Sequence, residues 1–236
     1  MREGPVTGLP AAPAGHLHAA GLRVDAAGRT LLAVPAFEAG PGITAVMGPN
    51  GAGKSLLLRV LAGLRAPQAG RVLAEGGVGM VFQSPVLLRR SVAANVRFAL
   101  RAARRPRRAH AEIVERLLAA GDLGDPSQPA RTLSGGERQR LAVLRALAAG
   151  PATLLLDEPC AALDPAATGR VEALLRAAAA AGTRLVVVTH DAHQARRLAT
   201  RVVVMDRGRI VEMGDPALLG APADPRTRAY LTGALP

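Results

Sequence analysis

The stretch Gly48–Ser55 constrains the fold of this chain more than any other part of the sequence. It reads Gly-Pro-Asn-Gly-Ala-Gly-Lys-Ser and follows Ile43–Met47, a short apolar run typical of a buried strand. After it, Leu57, Leu58 and Leu61 recur at helical spacing. A Gly-rich turn between a strand and a helix curls backbone N–H groups around an anion, and the helix N-terminus adds positive potential. The sequence therefore predicts a strand, a phosphate-binding loop and a helix in succession.

This loop supplies most of the candidate nucleotide-binding positions. They are Gly48, Pro49, Asn50, Gly51, Ala52, Gly53, Lys54, Ser55 and the next residue, Leu56. We expect the Lys54 ammonium to reach the β and γ phosphates and the Ser55 hydroxyl to ligate Mg²⁺. Lys54 is the only lysine, although the chain has 30 basic residues. A lysine retained at this one place indicates a position that needs a compact ammonium, which a planar guanidinium does not replace.

Two adjacent carboxylates follow a second apolar run. Asp157 and Glu158 stand directly after Leu154–Leu156, and the carboxyl ends of strands are where open α/β sheets bind ligands. Taken alone, such a pair is more often a device that stabilises a following helix N-terminus. Beside a phosphate-binding loop we favour the catalytic interpretation, with Asp157 on Mg²⁺ and Glu158 orienting or deprotonating an attacking water.

Strand and helix patterns alternate along most of the chain, which predicts an α/β fold with a mostly parallel sheet covered by helices. Residues 85–150 are helical in pattern throughout and predict an inserted helical lobe. Residues 1–20, rich in Pro, Gly and Ala, are expected to form a flexible extension before one domain over residues 21–236. Expected strands cover residues 43–47, 78–82, 153–157, 184–189 and 202–205, and expected helices begin near residue 54 and cover 91–105, 109–120, 136–149, 166–180 and 192–199.

Composition limits the classes of partner. The net charge of +12 fits nucleic acid, anionic lipid or a polyanionic ligand. With no Trp, one Tyr and three Phe, however, the chain offers little aromatic surface for unstacked bases. Its apolar runs are far shorter than the roughly 18 residues of a membrane span, and the single cysteine, Cys160, excludes an internal disulfide. We expect the chain to stay in the cytoplasm, and we interpret the arginine-rich segment 101–108 as a solvated face.

A third motif lies between the phosphate-binding loop and the Asp-Glu pair. Leu133–Arg140 reads Leu-Ser-Gly-Gly-Glu-Arg-Gln-Arg and resembles the signature motif of the ATP-binding-cassette (ABC) ATPases. Ser134, Gly135 and Gly136 would start a helix, and the free N–H groups there, with the Ser134 hydroxyl, would form a second phosphate-binding cap. In the family, the second cap completes the nucleotide site of a partner chain.

The resemblance extends from about Leu22 to Gly214 and implies further assignments. It implies a P-loop NTPase core of the RecA type, an antiparallel N-terminal β subdomain, and ATP and Mg²⁺ as cofactors. Gln83, Glu158 and His190 match the family's catalytic positions, Ser55, Gln83 and Asp157 match its metal-binding positions, and Asp164 matches a loop that crosses to the partner. One departure concerns the base, because this chain places Ala26 or a neighbour where the family carries an aromatic residue that stacks on adenine.

These resemblances favour a transporter motor. Two copies of the chain would energise transmembrane permease subunits at the cytoplasmic face of a bacterial membrane, in a complex with a substrate-binding protein. The segment Ser84–Ser91 lies where the family contacts its membrane partner, and it resembles ATPase subunits of oxyanion importers for tungstate, molybdate or phosphate. The alternatives are a soluble ABC ATPase acting on nucleic acid or the ribosome, whose relatives carry long coiled-coil inserts or two cassettes, and a small-molecule kinase, against which the signature octet argues. The sequence specifies neither the substrate nor the direction of transport. It also leaves two possibilities for the pair, two identical copies or a heterodimer with a different cassette.

Overall fold

The chain forms two β-sheets and seven α-helices in the computed structural model, which describes Leu9 and residues 11–233. Its strands are β1 (Leu17–Ala26), β2 (Arg29–Glu38), β3 (Ile43–Met47), β4 (Ala69–Ala74), β5 (Val78–Val81), β6 (Thr153–Asp157), β7 (Arg184–Val188), β8 (Arg201–Asp206) and β9 (Arg209–Gly214). Its helices are α1 (Lys54–Leu61), α2 (Val92–Ala102), α3 (His110–Ala120), α4 (Gly135–Ala148), α5 (Pro165–Ala180), α6 (Ala192–Leu198) and α7 (Pro225–Leu231). The α/β fold predicted from the alternating patterns is confirmed.

The larger sheet carries the strands that matter for the site. Its order is β5-β6-β7-β3-β8-β9. The first five strands in this order pair in parallel, and β9 pairs with β8 antiparallel at the edge. Every residue of β3 and of β6 is buried, as expected for central parallel strands that helices cover on both faces. Because parallel strands point the same way, the loops after β5, β6, β7 and β3 all open at one edge of the sheet.

The smaller sheet is antiparallel, with the order β2-β1-β4. Its inward side chains, such as Leu22 and Val24 on β1, share a buried cluster with Leu57, Leu58 and Leu61 of α1. The antiparallel N-terminal subdomain that the resemblance implied is thus present. The sequence patterns gave no bounds for β4, since five of its six residues are exposed and no hydrophobic alternation marks it.

Helices α2, α3 and α4 form the inserted lobe, and their apolar faces meet in one buried cluster that continues onto α5 and the larger sheet. The Ser91 hydroxyl caps α2 by accepting a hydrogen bond from the backbone N–H of Ala94 at 3.3 Å. This helix ends three residues before the expected end at 105. Arg104 there has a positive φ of 53°, and Pro106 follows, so the chain cannot continue as a helix.

The prediction of a flexible extension over residues 1–20 is wrong for the last residues of this range. Strand β1 begins at Leu17, and Leu17 pairs with Ala74 of β4. Ahead of it, the backbone N–H of Ala12 donates to the carbonyl of Ala181 at 3.0 Å, and Leu9 packs against the core cluster of the lobe. Strand pairing and this packing therefore hold a segment whose composition alone indicated a loose chain. Residues 1–8 and 10 of the predicted extension lie outside the described part of the chain.

A buried carboxylate joins α5 to α6. Glu172 on α5 is 4% exposed, and its oxygens accept hydrogen bonds from Gln194 Nε2 at 3.2 Å and from Arg197 Nη2 at 2.7 Å, both on α6. Helix α5 follows the loop that holds Asp164, and α6 follows His190. The network therefore holds together two helices that begin at candidate site loops.

We predict that Glu172→Ala lowers the free energy of unfolding by about 2 kcal/mol, because it leaves the buried Gln194 amide without an acceptor. Glu172→Gln, which keeps an acceptor, should cost less. Urea denaturation measures both. The matched control is Glu112→Ala, which removes the exposed Glu112–Arg116 pair on α3 and should change the free energy of unfolding by less than about 0.5 kcal/mol. Equal losses for Glu172→Ala and Glu112→Ala would contradict the prediction.

Candidate functional site

Four neighbouring strands place most of the predicted site residues at one edge of the larger sheet. The phosphate-binding loop follows β3, Glu158 follows β6 directly, and Gln83 and His190 stand two residues after β5 and β7. These strands are adjacent in the order β5-β6-β7-β3. Residues that are more than a hundred positions apart in sequence therefore lie side by side.

A cavity of about 920 Å³ opens at this edge. Twelve of its lining residues were predicted from sequence, namely the nine loop positions Gly48–Leu56 with Gln83, Glu158 and His190. Four others were not predicted, namely Leu31, Ala192, Tyr230 and Leu231. The volume and the polar lining suit a ligand of nucleotide size.

The Glu158 carboxylate contacts the two other residues assigned to catalysis. Gln83 Nε2 donates a hydrogen bond to Glu158 Oε2 at 3.3 Å, and His190 Nδ1 lies 3.4 Å from the same oxygen. Glu158 has a positive φ of 47°, which is unfavourable for a residue with a side chain and is found mainly where the surrounding structure enforces it. The backbone N–H of Glu158 donates to the carbonyl of Val188 at 3.1 Å and so anchors this conformation to β7.

The lysine of the loop is buried and points back into the loop. Lys54 is 6% exposed, and its Nζ donates to the carbonyls of Gly48 at 2.6 Å and Pro49 at 2.8 Å. Burial lowers the pKa of Lys54, and the nearby charges of Glu158 and Asp157 oppose this shift. The loop itself requires glycine, because Gly48 has φ 141° and a Cβ there would collide with the carbonyl of Met205. Such a tight loop leaves its N–H groups available to an anion.

Ser55 and Asp157 form an oxygen pair beside the lysine. The Ser55 hydroxyl donates to Asp157 Oδ1 at 3.0 Å. Burial raises the pKa of the Asp157 carboxyl, and the hydrogen bond from Ser55 opposes that rise. The described residues contain no group of three or more His, Cys, Asp or Glu side chains arranged to hold a metal ion. One hydroxyl and one carboxylate nevertheless fit Mg²⁺, which usually takes few protein oxygens and completes its shell with water and substrate phosphates.

The predicted second phosphate cap lies away from this cavity. Ser134, Gly135, Gly136 and Asp164 are all absent from its lining. Ser134 caps α4 in a capping box, in which its hydroxyl accepts from the N–H of Glu137 and Glu137 accepts from the N–H of Ser134. Gly136 is buried, and a Cβ there would come within 2.7 Å of Ala167 Cβ on α5. The second glycine is therefore required for helix packing, a role that the sequence did not indicate.

Leu31 and Tyr230 are two of the four cavity residues that were not predicted from the sequence. Leu31 on β2 is 44% exposed although it is large and apolar, and it lines the cavity beside the loop. Ala26, at the end of β1, is not part of the lining. No motif marks either lining residue, because an apolar residue on an amphipathic strand and a tyrosine in a short C-terminal helix are common in any fold.

Comparison with known proteins gives one family. The ABC transporter family matches residues 37–161. The chain is 38% identical over 218 residues to the phosphate import ATP-binding protein PstB 2 of Natronomonas pharaonis, with 81% of this chain and 77% of that protein covered. It is 41% identical over 232 residues to the Fe(3+) ions import ATP-binding protein FbpC 3 of Rhodococcus jostii, with 88% of this chain but only 65% of that protein covered. The structure of CbiO1 from Clostridium perfringens, part of an ABC transporter complex, superposes with a TM-score of 0.79 at 27% identity, covering 91% of this chain and 94% of that one.

We predict that Lys54→Ala and Lys54→Arg each lower the rate of ATP hydrolysis by about 100-fold or more, because the ammonium is buried among backbone carbonyls where a planar guanidinium does not fit. The rate of phosphate release measures this loss. The rise in melting temperature that Mg·ATP gives the unaltered protein should also shrink in both variants. An Arg variant with full activity would contradict the assignment.

Proposed function

The chain belongs to the ABC transporter family, and from this premise we propose that two copies of it hydrolyse ATP at shared sites and thereby energise solute import through separate membrane subunits. The observation that carries the proposal is the convergence of Gln83 and His190 on Glu158 Oε2, beside the phosphate-binding loop. A carboxylate so placed is equipped to orient a water molecule next to a terminal phosphate.

In the proposed reaction, Glu158 orients the attacking water and accepts its proton as the water oxygen bonds to the γ-phosphorus. The bond between the γ-phosphorus and its bridging oxygen breaks, and ADP keeps that oxygen. Lys54 leaves the loop carbonyls for the β and γ phosphates, and His190 contacts the γ phosphate. Ser55, Asp157 and Gln83 would hold Mg²⁺, which supplies charge neutralisation at the phosphates when bound.

Each nucleotide site in this proposal needs a second chain. The cavity contains one set of phosphate-binding N–H groups, and the loop at Ser134 and Gly135, which is exposed, lies outside it. Two copies related by a two-fold axis would each bring that loop to the cavity of the other. The Ser134 loop would then meet the γ phosphate bound by the partner subunit, while Asp164, at the start of α5, would lie at the boundary between the chains.

The membrane partner is proposed to bind the segment after Gln83. Val86 in this segment is 82% exposed and Phe82, just before Gln83, is 44% exposed; two apolar side chains so near in sequence support a contact surface here. Arg89 and Arg90 follow and are exposed. No helix in the described part of the chain has the length and apolar character to cross a bilayer. We propose that the chain docks through this surface on permease subunits at the cytoplasmic face of the membrane.

For the solute we propose an oxyanion. The likeness to a phosphate import protein, of which 77% is covered, supports this class. The likeness to an Fe(3+) import protein points to a cation instead, so similarity of the ATPase chain does not by itself select the solute. We propose a substrate-binding protein as the subunit that makes the selection.

We predict that Glu158→Gln forms a stable pair in the presence of Mg·ATP, because the amide cannot take the water proton and the bound ATP persists between the chains. Sedimentation velocity with and without Mg·ATP measures the change. Adding Ser134→Arg should abolish the pair by crowding the second cap. The matched control is Glu115→Gln on α3, which is exposed and should stay monomeric. A Glu158→Gln protein that remains monomeric with its membrane partner present would refute the composite site.

We predict that Val86→Asp reduces capture of integral membrane proteins from detergent-solubilised membranes, because it places a charge in the proposed contact. Val86 is 82% exposed, so the substitution should change the free energy of unfolding by less than about 0.5 kcal/mol. Leu73→Asp, at a residue 54% exposed on β4, is the matched control and should leave capture intact. Mass spectrometry identifies the captured proteins. Capture of ribosomal proteins or nucleic acid alone would favour the soluble alternative.

A further inference from the structure

The last helix of the described chain returns to the nucleotide cavity. Tyr230 and Leu231, in the final turn of α7, line this cavity together with the phosphate-binding loop and His190. Helix α7 lies outside residues 37–161, the part of the chain that matches the family, and outside every motif of the sequence. It nevertheless places a polar group among residues that the proposed function assigns to ATP.

Four contacts to the carboxylates of Glu212 and Asp224 fix the start of α7. Glu212 on β9 accepts hydrogen bonds from the backbone N–H groups of Ala223 at 2.8 Å and Asp224 at 3.3 Å. Asp224 then caps the helix by accepting from the N–H of Arg226, whose guanidinium also binds the Asp224 carboxylate at 2.7 Å. These contacts attach α7 to the edge strand of the larger sheet, so its last turn has a defined place beside the cavity.

Tyr230 contacts the His190 loop through its hydroxyl and lines the cavity together with the phosphate-binding loop. Its ring packs on the buried cluster that includes Met47 of β3 and Ala195 of α6. The hydroxyl donates to the backbone carbonyl of His190 at 3.4 Å. Burial raises the pKa of Tyr230 above its usual value, so the group is a neutral donor throughout the physiological range. It is the only tyrosine in the chain.

The backbone at His190 has few other constraints. The His190 side chain is 64% exposed, and its ring nitrogen contact with Glu158 is 3.4 Å long. On the following residue, the N–H of Asp191 donates to Thr189 Oγ1 at 3.1 Å, and the Asp191 carboxylate caps α6. The Tyr230 hydroxyl therefore adds a link from the His190 carbonyl to helix α7, which neither Thr189 nor Asp191 provides.

We propose that Tyr230 is a positioning residue for the reaction, in that its hydroxyl holds the backbone of His190 beside the phosphate-binding loop and so sets the distance between the histidine and the bound γ phosphate. The inference rests on the proposed function, because it takes His190 to contact that phosphate. Tyr230 touches neither the phosphate nor the attacking water in this proposal. It acts through the loop that carries His190, and its substitution should change catalysis more than nucleotide binding.

The test begins with Tyr230→Phe, which keeps the ring in its apolar cluster and removes only the hydroxyl. We expect kcat for ATP hydrolysis by the assembled protein to fall about 3- to 10-fold, as fits the loss of one neutral hydrogen bond, while KM for ATP changes less than twofold. Arg226→Ala is the matched control on the same helix, since it removes the exposed guanidinium but keeps the backbone cap at Asp224 and both Glu212 contacts, and it should leave kcat within twofold. An unchanged kcat in Tyr230→Phe would overturn the inference.

A double-mutant cycle separates positioning from general support of the fold. In a His190→Ala background, Tyr230→Phe should lower the residual kcat no further, because the group that it positions is gone. A further 3- to 10-fold drop would mean that Tyr230 acts elsewhere and would overturn the inference.

The NMR resonance of the His190 ring, assigned by its loss in His190→Ala, supplies a readout that does not need activity. Tyr230→Phe should shift it, whereas Arg226→Ala should not, and an unmoved resonance in Tyr230→Phe would also overturn the inference. Full activity of His190→Ala would instead refute the proposed function.

Discussion

The parallel pairing of β5, β6, β7 and β3 is the constraint on which the rest of the site depends. Each of these strands ends at the same edge, and each is followed at once or within two residues by a group that lines the cavity. The strands are short, and β3, β6 and β7 are buried over at least four of their five residues, so a change in register would disrupt the packing of these side chains. Apolar burial in the sheet therefore holds the polar groups at their separations, including the 3.3 Å and 3.4 Å contacts at Glu158.

Two costs at the site follow from this arrangement. Glu158 holds a positive φ, and Lys54 carries a charge that burial disfavours. Both are offset by contacts that depend on the fold, namely the hydrogen bond from the Glu158 N–H to Val188 and the two carbonyls of the loop that receive the Lys54 ammonium. A bound polyphosphate would replace those carbonyls as the partner of the Lys54 ammonium. The buried charge therefore has a partner both with and without the ligand.

Prediction from the sequence succeeded where chemistry requires particular residue types at fixed spacing. The nine positions Gly48–Leu56 line the cavity together with Gln83, Glu158 and His190, because each follows a strand that its apolar run revealed. It failed where contacts rather than patterns decide. The start of β1 at Leu17 depends on pairing with β4, whose exposed residues carry no hydrophobic alternation. Gly136, interpreted as part of a phosphate cap, is also buried against Ala167 on α5.

The sequence by itself determined the central strands of the larger sheet, the phosphate-binding loop and the identity of the polar groups that follow these strands, because they depend on local spacing and on chemistry that few residue types provide. Only the tertiary structure decided which of these groups meet. It placed Gln83 and His190 on one oxygen of Glu158, left the Ser134 loop outside the cavity, and brought Tyr230 from the C-terminal helix to His190. The physical reason is that such contacts join residues distant in the chain, and their geometry is set by strand order and helix packing, which no local pattern encodes.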